Sequence, residues 1–175
     1  MLKEVLKKYL DVYFKEYEDY FKSLPALPYD EDEPSDLYVG EIDKEGWIQW
    51  QYAPVDRIID FSGLEEEYNI HISEELKEYY NSYYFLELWG FRGNEGIRFD
   101  KVDDTTDVLA EFRGVLNDNE DMIEIGTDNR NSSICVKIDS GQVISKYWEF
   151  EEEFVLADSL SELFLELKPS QNSEE

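Results

Sequence analysis

The sequence predicts an α+β fold in which helices cover a single antiparallel-rich mixed sheet. Apolar residues recur at helical spacing near both ends of the chain. Between these ends, short runs alternate apolar and polar residues, which is typical of strands. Gly- and Pro-containing segments separate the runs. The predicted order is helix, strand pair, helices, strand pair, helix, three strands and helix.

The first element is a long helix over residues 1–22. Its apolar positions recur three or four residues apart and are Leu2, Val5, Leu6, Tyr9, Tyr13, Tyr17, Tyr20 and Leu24. Residues 23–45 contain three prolines and many acidic side chains, so we expect an acidic loop. Within this loop, residues 37–42 can form a hairpin with a strand over 47–52.

The middle of the chain predicts short helices and strands in alternation. Ser62 with Glu65 fits a capping box for a helix ending at Tyr68, and Ser73 can cap a helix over 74–83. Strands are expected over 85–89 and 97–99. Asp104 or Thr105 can cap the next helix, whose inward residues are Val108, Leu109, Phe112 and Leu116.

Residues 122–168 organise the rest of the fold. They predict a strand at 123–125 and a hairpin formed by 134–138 and 143–148, with Gly141 in the turn. An acidic connection follows, and then a closing helix capped by Ser159. Its apolar face is formed by Leu160, Leu163, Phe164 and Leu167. Residues 169–175 are expected to be a frayed tail, and residues 47–168 the core of a single domain.

Charge is the dominant compositional feature of this chain. The 175 residues include 16 Lys or Arg and 43 Asp or Glu, which gives a formal net charge of −27. Residues 1–22 are balanced, with five basic and five acidic residues, so the excess lies in the remainder. Phosphate binding requires basic side chains, which argues against nucleic acid as a ligand. A basic protein partner complements the charge, although acidity also serves solubility alone.

Composition further indicates a soluble cytoplasmic protein. The single cysteine excludes an intramolecular disulfide, which is typical of a reducing compartment. Met1 leads into charged residues without the apolar region of a signal peptide. No apolar run approaches the roughly 20 residues of a membrane span, so we expect no membrane insertion.

No motif in the sequence predicts a catalytic site, a metal site or a cofactor. His71 is the only histidine and Cys135 the only cysteine, too few for a zinc site, and no nucleophile motif accompanies His71. Asn117, Asn119 and Asp121 match the first positions of a calcium loop, but Met122 occupies the position that needs glycine. Abundant carboxylates leave a carboxylate-dependent hydrolase as a weak alternative.

Three segments resemble the SUKH superfamily, and within it the Syd branch of SecY-interacting proteins. Residues 47–54, leading into Phe61 and 65–68, are similar to the family's Trp-containing strand. Residues 123–128 and 134–143 are similar to its hairpin, and 156–164 to its closing helix. The resemblance implies a non-catalytic binding scaffold. Many superfamily members are immunity proteins that neutralise toxins, often nucleases, and the Syd branch is linked to the cytoplasmic face of the SecY translocon.

These observations lead to two main hypotheses for function. The first is an immunity protein whose acidic surface and aromatic side chains occlude the basic groove of a toxin. The alternative is a Syd-like factor that binds SecY cytoplasmic loops, which are rich in Lys and Arg. For the first hypothesis we expect contacts from two acidic segments, 30–36 and 100–107, flanked by tryptophans. The expected contact residues are Asp30, Glu31, Asp32, Glu33, Asp36, Trp47, Trp89, Asp100, Asp103, Asp104 and Asp107.

Overall fold

The computed structural model describes residues 1–170. Its helices are α1 (Leu2–Phe21), α2 (Ser62–Tyr68), α3 (Glu74–Tyr80), α4 (Val108–Asn117) and α5 (Leu160–Glu166). Its strands are β1 (Ala26–Pro28), β2 (Tyr38–Val39), β3 (Trp47–Trp50), β4 (Ala53–Pro54), β5 (Tyr83–Tyr84), β6 (Leu88–Arg92), β7 (Glu95–Phe99), β8 (Met122–Asp128), β9 (Ser133–Lys137), β10 (Val143–Tyr147) and β11 (Glu152–Ala157). The α+β class is therefore confirmed, while most of the predicted tail lies outside the described residues.

The prediction of a single sheet is wrong, because the described strands form three sheets. The largest has six strands in the order β11-β10-β9-β8-β7-β6, and all its pairings are antiparallel. The other two have the order β1-β3-β2 and β4-β5. The β6 edge is closed to further strands because Phe91 exchanges two 2.8 Å backbone hydrogen bonds with Lys168.

The six-stranded sheet is curled. Register shifts occur in β8 between Glu124 and Gly126 and in the β10–β11 pair, and such bulges increase the local twist. As a result, the two edge strands approach each other at one point. The Arg92 guanidinium in β6 donates a 2.8 Å hydrogen bond to the carbonyl oxygen of Leu156 in β11.

The main core lies between the concave face of this sheet and the helices. Leu88, Phe99 and Ile134 project from the sheet into this core. Helix α1 packs against α3 and α5, and its buried residues are Leu2, Leu6, Tyr9, Leu10, Tyr13 and Phe14. The expectation that Tyr20 faces inward is wrong, since its side chain is 77% exposed. The helix ends at Phe21, where Lys22 adopts a left-handed conformation.

Two segments predicted as connections contain strands. Inside the predicted acidic loop over 23–45, β1 and β2 pair with β3 from either side. The pairing of β2 confirms the expected hairpin. The predicted acidic connection after the 134–148 hairpin contains β11, whose first four residues are all exposed. Its sequence, Glu-Glu-Phe-Val-Leu-Ala, does not alternate polar and apolar residues, so the periodicity that predicts a strand is missing.

Several helix starts differ from the sequence prediction because the capping side chains are used elsewhere. Ser159 caps α5 as predicted, with its hydroxyl accepting from the Glu162 amide at 3.1 Å. Asp107, rather than Asp104 or Thr105, caps α4. The expected capping box at Ser62 is absent, since Glu65 accepts from the Ile72 amide and pairs with Lys77.

Two boundaries around α3 and β6 are also corrected. Helix α3 ends at Tyr80, because residues 83–84 leave it to pair with β4. The strand expected over 85–89 begins at Leu88 instead. Phe85 forms only an isolated bridge with Val102.

Candidate partner-binding surface

The fold brings the two predicted acidic segments together. Lys101 is the only basic residue within segments 30–36 and 100–107. Its ammonium group lies 3.2 Å from the Glu33 carboxylate and 3.8 Å from that of Asp103. Segments that are about 70 residues apart in the sequence therefore share one face, on which negative charge greatly exceeds positive charge.

The 30–36 loop is held in place by its own hydrogen bonds. The Tyr38 hydroxyl donates to the Glu33 carbonyl oxygen at 3.0 Å, and the Asp32 amide donates to the Asp30 carboxylate at 2.9 Å. The rings of Tyr29 and Tyr38 contact each other at the base of the loop in a tilted arrangement, with centroids 5.8 Å apart. Trp47 is half-exposed and lies opposite Pro28 in the β1–β3 pair, which sets its ring beside the start of the loop.

A groove of about 260 Å³ lies between β1 and β7. It is lined by Leu27, Leu86, Glu87, Arg98, Phe99, Asp100 and Lys101. Trp89 is paired directly with Arg98 across the β6–β7 ladder, so its side chain stands on the same sheet face as Arg98. We refer to this groove together with the 30–36 loop as the acidic groove. Its lining between β1 and β7 carries two carboxylates, Glu87 and Asp100, and two cations, Arg98 and Lys101, so the excess negative charge comes from the 30–36 loop.

Further carboxylates extend the negative face beyond the groove. Partial burial raises the pKa of Asp100, against the lowering effect of Arg98. Burial and then the neighbouring Asp100 and Asp107 raise the pKa of Glu111. Burial and, more weakly, Asp100 raise the pKa of Glu124, while a hydrogen bond with Ser133 lowers it. Desolvation is thus the main cause of all three shifts, and neighbouring carboxylates add to it for Glu111 and Glu124.

The expected contact residues fall into two groups in the structure. Asp30, Glu31, Asp32, Glu33, Asp36, Asp100, Asp104 and Asp107 are exposed, as contacts with a partner require. Asp103 is buried, and its Oδ1 accepts bonds from the Thr105 amide and the Thr105 and Thr106 hydroxyls. Asp107 accepts the Ala110 amide at 3.1 Å as the cap of α4. The last two side chains thus have structural roles.

Sequence reasoning missed the residues that reach this surface through tertiary structure. Leu27, Leu86 and Arg98 line the acidic groove, and Glu111 and Glu124 extend its negative face. Arg98 and Glu124 occupy outward positions of strands, a pattern shared by many solvated residues. Only the tertiary structure shows that Asp100 acts on Glu124 and that Arg98 lines the groove beside Asp100.

The fold places Cys135 in the core and His71 at the surface. Burial raises the pKa of the Cys135 thiol to about 12, which disfavours the thiolate. His71 is exposed, and its Nδ1 lies 3.4 Å from a Glu65 carboxylate oxygen. Asn117 and Asn119 belong to the end of α4, with Asn119 in a left-handed conformation. Within residues 1–170, no three His, Cys, Asp or Glu side chains are grouped to hold a metal ion.

The fold thus presents a partly apolar groove bordered by an acidic loop on one face. Residues 3–99 match the model of the family described as Syd protein (SUKH-2), and the chain therefore belongs to the Syd family. The predicted resemblance is thereby confirmed. The match includes α1 and the 30–36 loop, whereas two of the three segments that suggested the resemblance lie beyond it. No curated protein matches the chain.

Proposed function

We propose that this protein is a Syd-like factor that binds the basic cytoplasmic face of the SecY translocon through its acidic groove. Membership of the Syd family over residues 3–99 carries this proposal, because the family takes in α1, β1, the 30–36 loop and β7. The proposal also assigns the protein a peripheral, cytoplasmic place at the membrane. Among the described helices, none is long and apolar enough to cross a bilayer.

The groove suits a lysine or arginine side chain in two ways. Asp100 in the groove lining and the exposed Asp30 and Asp32 in the 30–36 loop can form ion pairs with it, and Leu27 and Leu86 can contact its alkyl part. Trp47 and Trp89 flank the site and can stack on a guanidinium group. Attraction by the whole negative face would accelerate association at low salt, and screening over about 8 Å at physiological ionic strength would weaken it.

The family assignment favours SecY over a toxin as the partner. Neutralisation of a nuclease toxin is known across the wider SUKH superfamily, and an acidic groove would also occlude a nuclease site. The match, however, falls on the Syd branch. A non-catalytic role accords with both partners, since members of these families are generally binding proteins.

Binding to purified SecY complexes in lipid nanodiscs tests the proposal. The variant Asp30→Asn/Asp32→Asn/Asp100→Asn removes three charges from the acidic groove and preserves side-chain size. We expect its affinity to fall by about tenfold or more, since each exposed ion pair contributes up to about 1 kcal/mol. The matched control Glu66→Gln/Glu120→Gln/Asp139→Asn removes the same charge from exposed positions elsewhere and should change affinity much less.

Equal losses in the two variants would show that net charge, and not the groove, determines binding. An absence of SecY binding by the wild-type protein would overturn the proposal. Rescue of cells from a toxin encoded beside its gene, without SecY binding, would establish the immunity function instead.

A further inference from the structure

The two edge strands of the six-stranded sheet, β6 and β11, differ in what covers their outer edges. The β6 edge is covered by the backbone of Lys168. In the described part of the chain, β11 pairs with β10 alone among the strands, which leaves its outer edge without a strand partner. Edge strands expose backbone N–H and C=O groups that can pair with another chain. Strand β11 also lies outside residues 3–99, so the family match does not account for it.

Large apolar side chains are concentrated on this edge. Phe150, Phe154 and Val155 are 64%, 60% and 59% exposed, and Trp148 is also exposed. Phe150 stacks on Tyr147, with ring centroids 5.3 Å apart and nearly parallel planes. Folding gains little from side chains this exposed, and an apolar patch of this kind is typical of an interaction site.

A cleft of about 520 Å³ opens beside β11 at the end of the curled sheet. Its apolar lining includes Tyr147, Phe150 and Phe154, and it shares no lining residue with the groove between β1 and β7. Arg92 forms one wall and is already engaged, since it bonds to Leu156 and lies 3.1 Å from the Glu166 carboxylate. The cleft is large enough for an aromatic or branched aliphatic side chain.

The charge on β11 determines which chain can pair with it. The four glutamates at 149 and 151–153 are all exposed. Lys146 lies over the Trp148 ring at 4.1 Å and 3.6 Å from the Glu153 carboxylate, while Arg92 and Arg130 line the cleft together with Glu152. A second acidic strand laid along this edge would meet like charges, which are destabilising when directly opposite. A strand carrying Lys or Arg would meet opposite charges.

We propose that β11 is a docking edge for an extended, basic segment of a partner protein. The segment adds as a seventh strand beside Glu152–Val155 and inserts one apolar side chain into the cleft. The glutamates serve two purposes, since they prevent self-association through the edge and attract a basic strand. This surface is separate from the acidic groove.

Amide chemical-shift mapping on the ¹⁵N-labelled protein tests this proposal. The probe is a synthetic peptide of alternating lysine and valine with one central phenylalanine, and the control peptide replaces each lysine by glutamate. We expect the lysine peptide to shift the amides of residues 150–156 and the glutamate peptide to leave them unchanged. N-methylation of alternate peptide nitrogens should abolish binding, because it removes strand-pairing donors.

Variants at exposed positions separate the two contributions to binding. Phe154→Ser should weaken the lysine peptide about tenfold through lost apolar contact, and Glu152→Lys about tenfold through charge reversal. Leu165→Ser and Glu66→Lys are the matched controls on α5 and α2 and should retain binding. The variant Asp30→Asn/Asp32→Asn/Asp100→Asn should also retain binding of the lysine peptide. A failure of this proposal is therefore distinguishable from a failure of SecY binding.

Three results would overturn the proposal. The lysine peptide could fail to bind at millimolar concentration, or its shifts could fall on residues 30–36 and 100–107 rather than on β11. Alternatively, sedimentation could show a dimer of this chain that Phe154→Ser dissociates, in which case the occupant of the edge is a second copy.

Discussion

Replacement of Gly126 by alanine tests the sheet geometry that sets β7 beside the acidic groove. Gly126 is buried at the bulge in β8 and is paired with Phe99. A Cβ atom at this position would overlap the carbonyl oxygen of Arg98 and lie 3.1 Å from the Cα atom of Phe99. These are backbone atoms, so the clash cannot be relieved by a side-chain rotation. Strand β7 would have to move, and Arg98 and Asp100 would move with it.

The expected cost follows from this overlap. Overpacking a core typically lowers the free energy of unfolding by about 1–3 kcal/mol. Because Gly126→Ala clashes with backbone, we expect a loss at the upper end of this range, about 3 kcal/mol. Gly114 in α4 provides a control, because a Cβ atom there meets no atom within 4 Å. Alanine is the better helix former by about 0.8–1 kcal/mol, so Gly114→Ala should stabilise the protein by roughly that amount. The change from glycine to alanine should therefore lower the free energy of unfolding at position 126 and raise it at position 114.

Urea denaturation followed by tryptophan fluorescence and circular dichroism measures both effects. With an unchanged dependence of the unfolding free energy on urea, the midpoint should fall for Gly126→Ala and rise for Gly114→Ala. In a chain of this size each kcal/mol corresponds to about 2–4 °C in Tm. A Gly126→Ala protein within about 0.5 kcal/mol of wild type would refute the close approach of β7 and β8 at this bulge.

Three further predictions concern titratable side chains. The Cys135 thiol should be unreactive toward a disulfide reagent in the folded protein at pH 8 and react fully in urea, because burial raises its pKa to about 12; rapid reaction of the folded protein would contradict its burial. Burial, with the hydrogen bond donated to Asp11, raises the pKa of Tyr52 to about 12. Above the ordinary tyrosine pKa of 10.0 the unfolded chain ionises first, so stability should fall as pH rises from 10 to 12, and by less in Tyr52→Phe. Burial and neighbouring carboxylates raise the pKa of Glu111, so its charge destabilises the fold at neutral pH. Glu111→Gln should therefore raise the urea midpoint at pH 7. The gain should vanish below the ordinary glutamate pKa, where Glu111 is protonated in both the folded and the unfolded protein. An equal gain at all pH values would refute the raised pKa of Glu111.

Residue spacing, capping residues and turn residues within a segment were sufficient to predict the helices and strands that bury one face. The spacing of Leu160, Leu163 and Phe164 and the cap at Ser159 predict α5, and all three apolar side chains are buried. The hairpin of β9 and β10 follows likewise from its turn at Gly141. In these segments local propensity and tertiary packing favour the same conformation.

The sequence could not predict features that depend on distant partners. Strand β11 exists because β10 offers it a partner, while its own residues show no alternation in burial. The cover of the β6 edge is likewise non-local, because it is provided by Lys168, about 75 residues further along the chain. For the candidate site, the acidic composition of both segments was visible in the sequence. The contact of Glu33 with Lys101 was not, because only the fold brings these residues together.

Site-specific photo-crosslinking to SecY tests most directly whether the acidic groove is the contact surface. A photoreactive amino acid would replace Asp32, in the 30–36 loop, or Asp139, in the exposed turn between β9 and β10. Binding through the acidic groove predicts crosslinks to basic cytoplasmic loops of SecY from position 32, reduced at high salt, and little or none from position 139. Crosslinks of equal yield from both positions, or from position 139 alone, would contradict it.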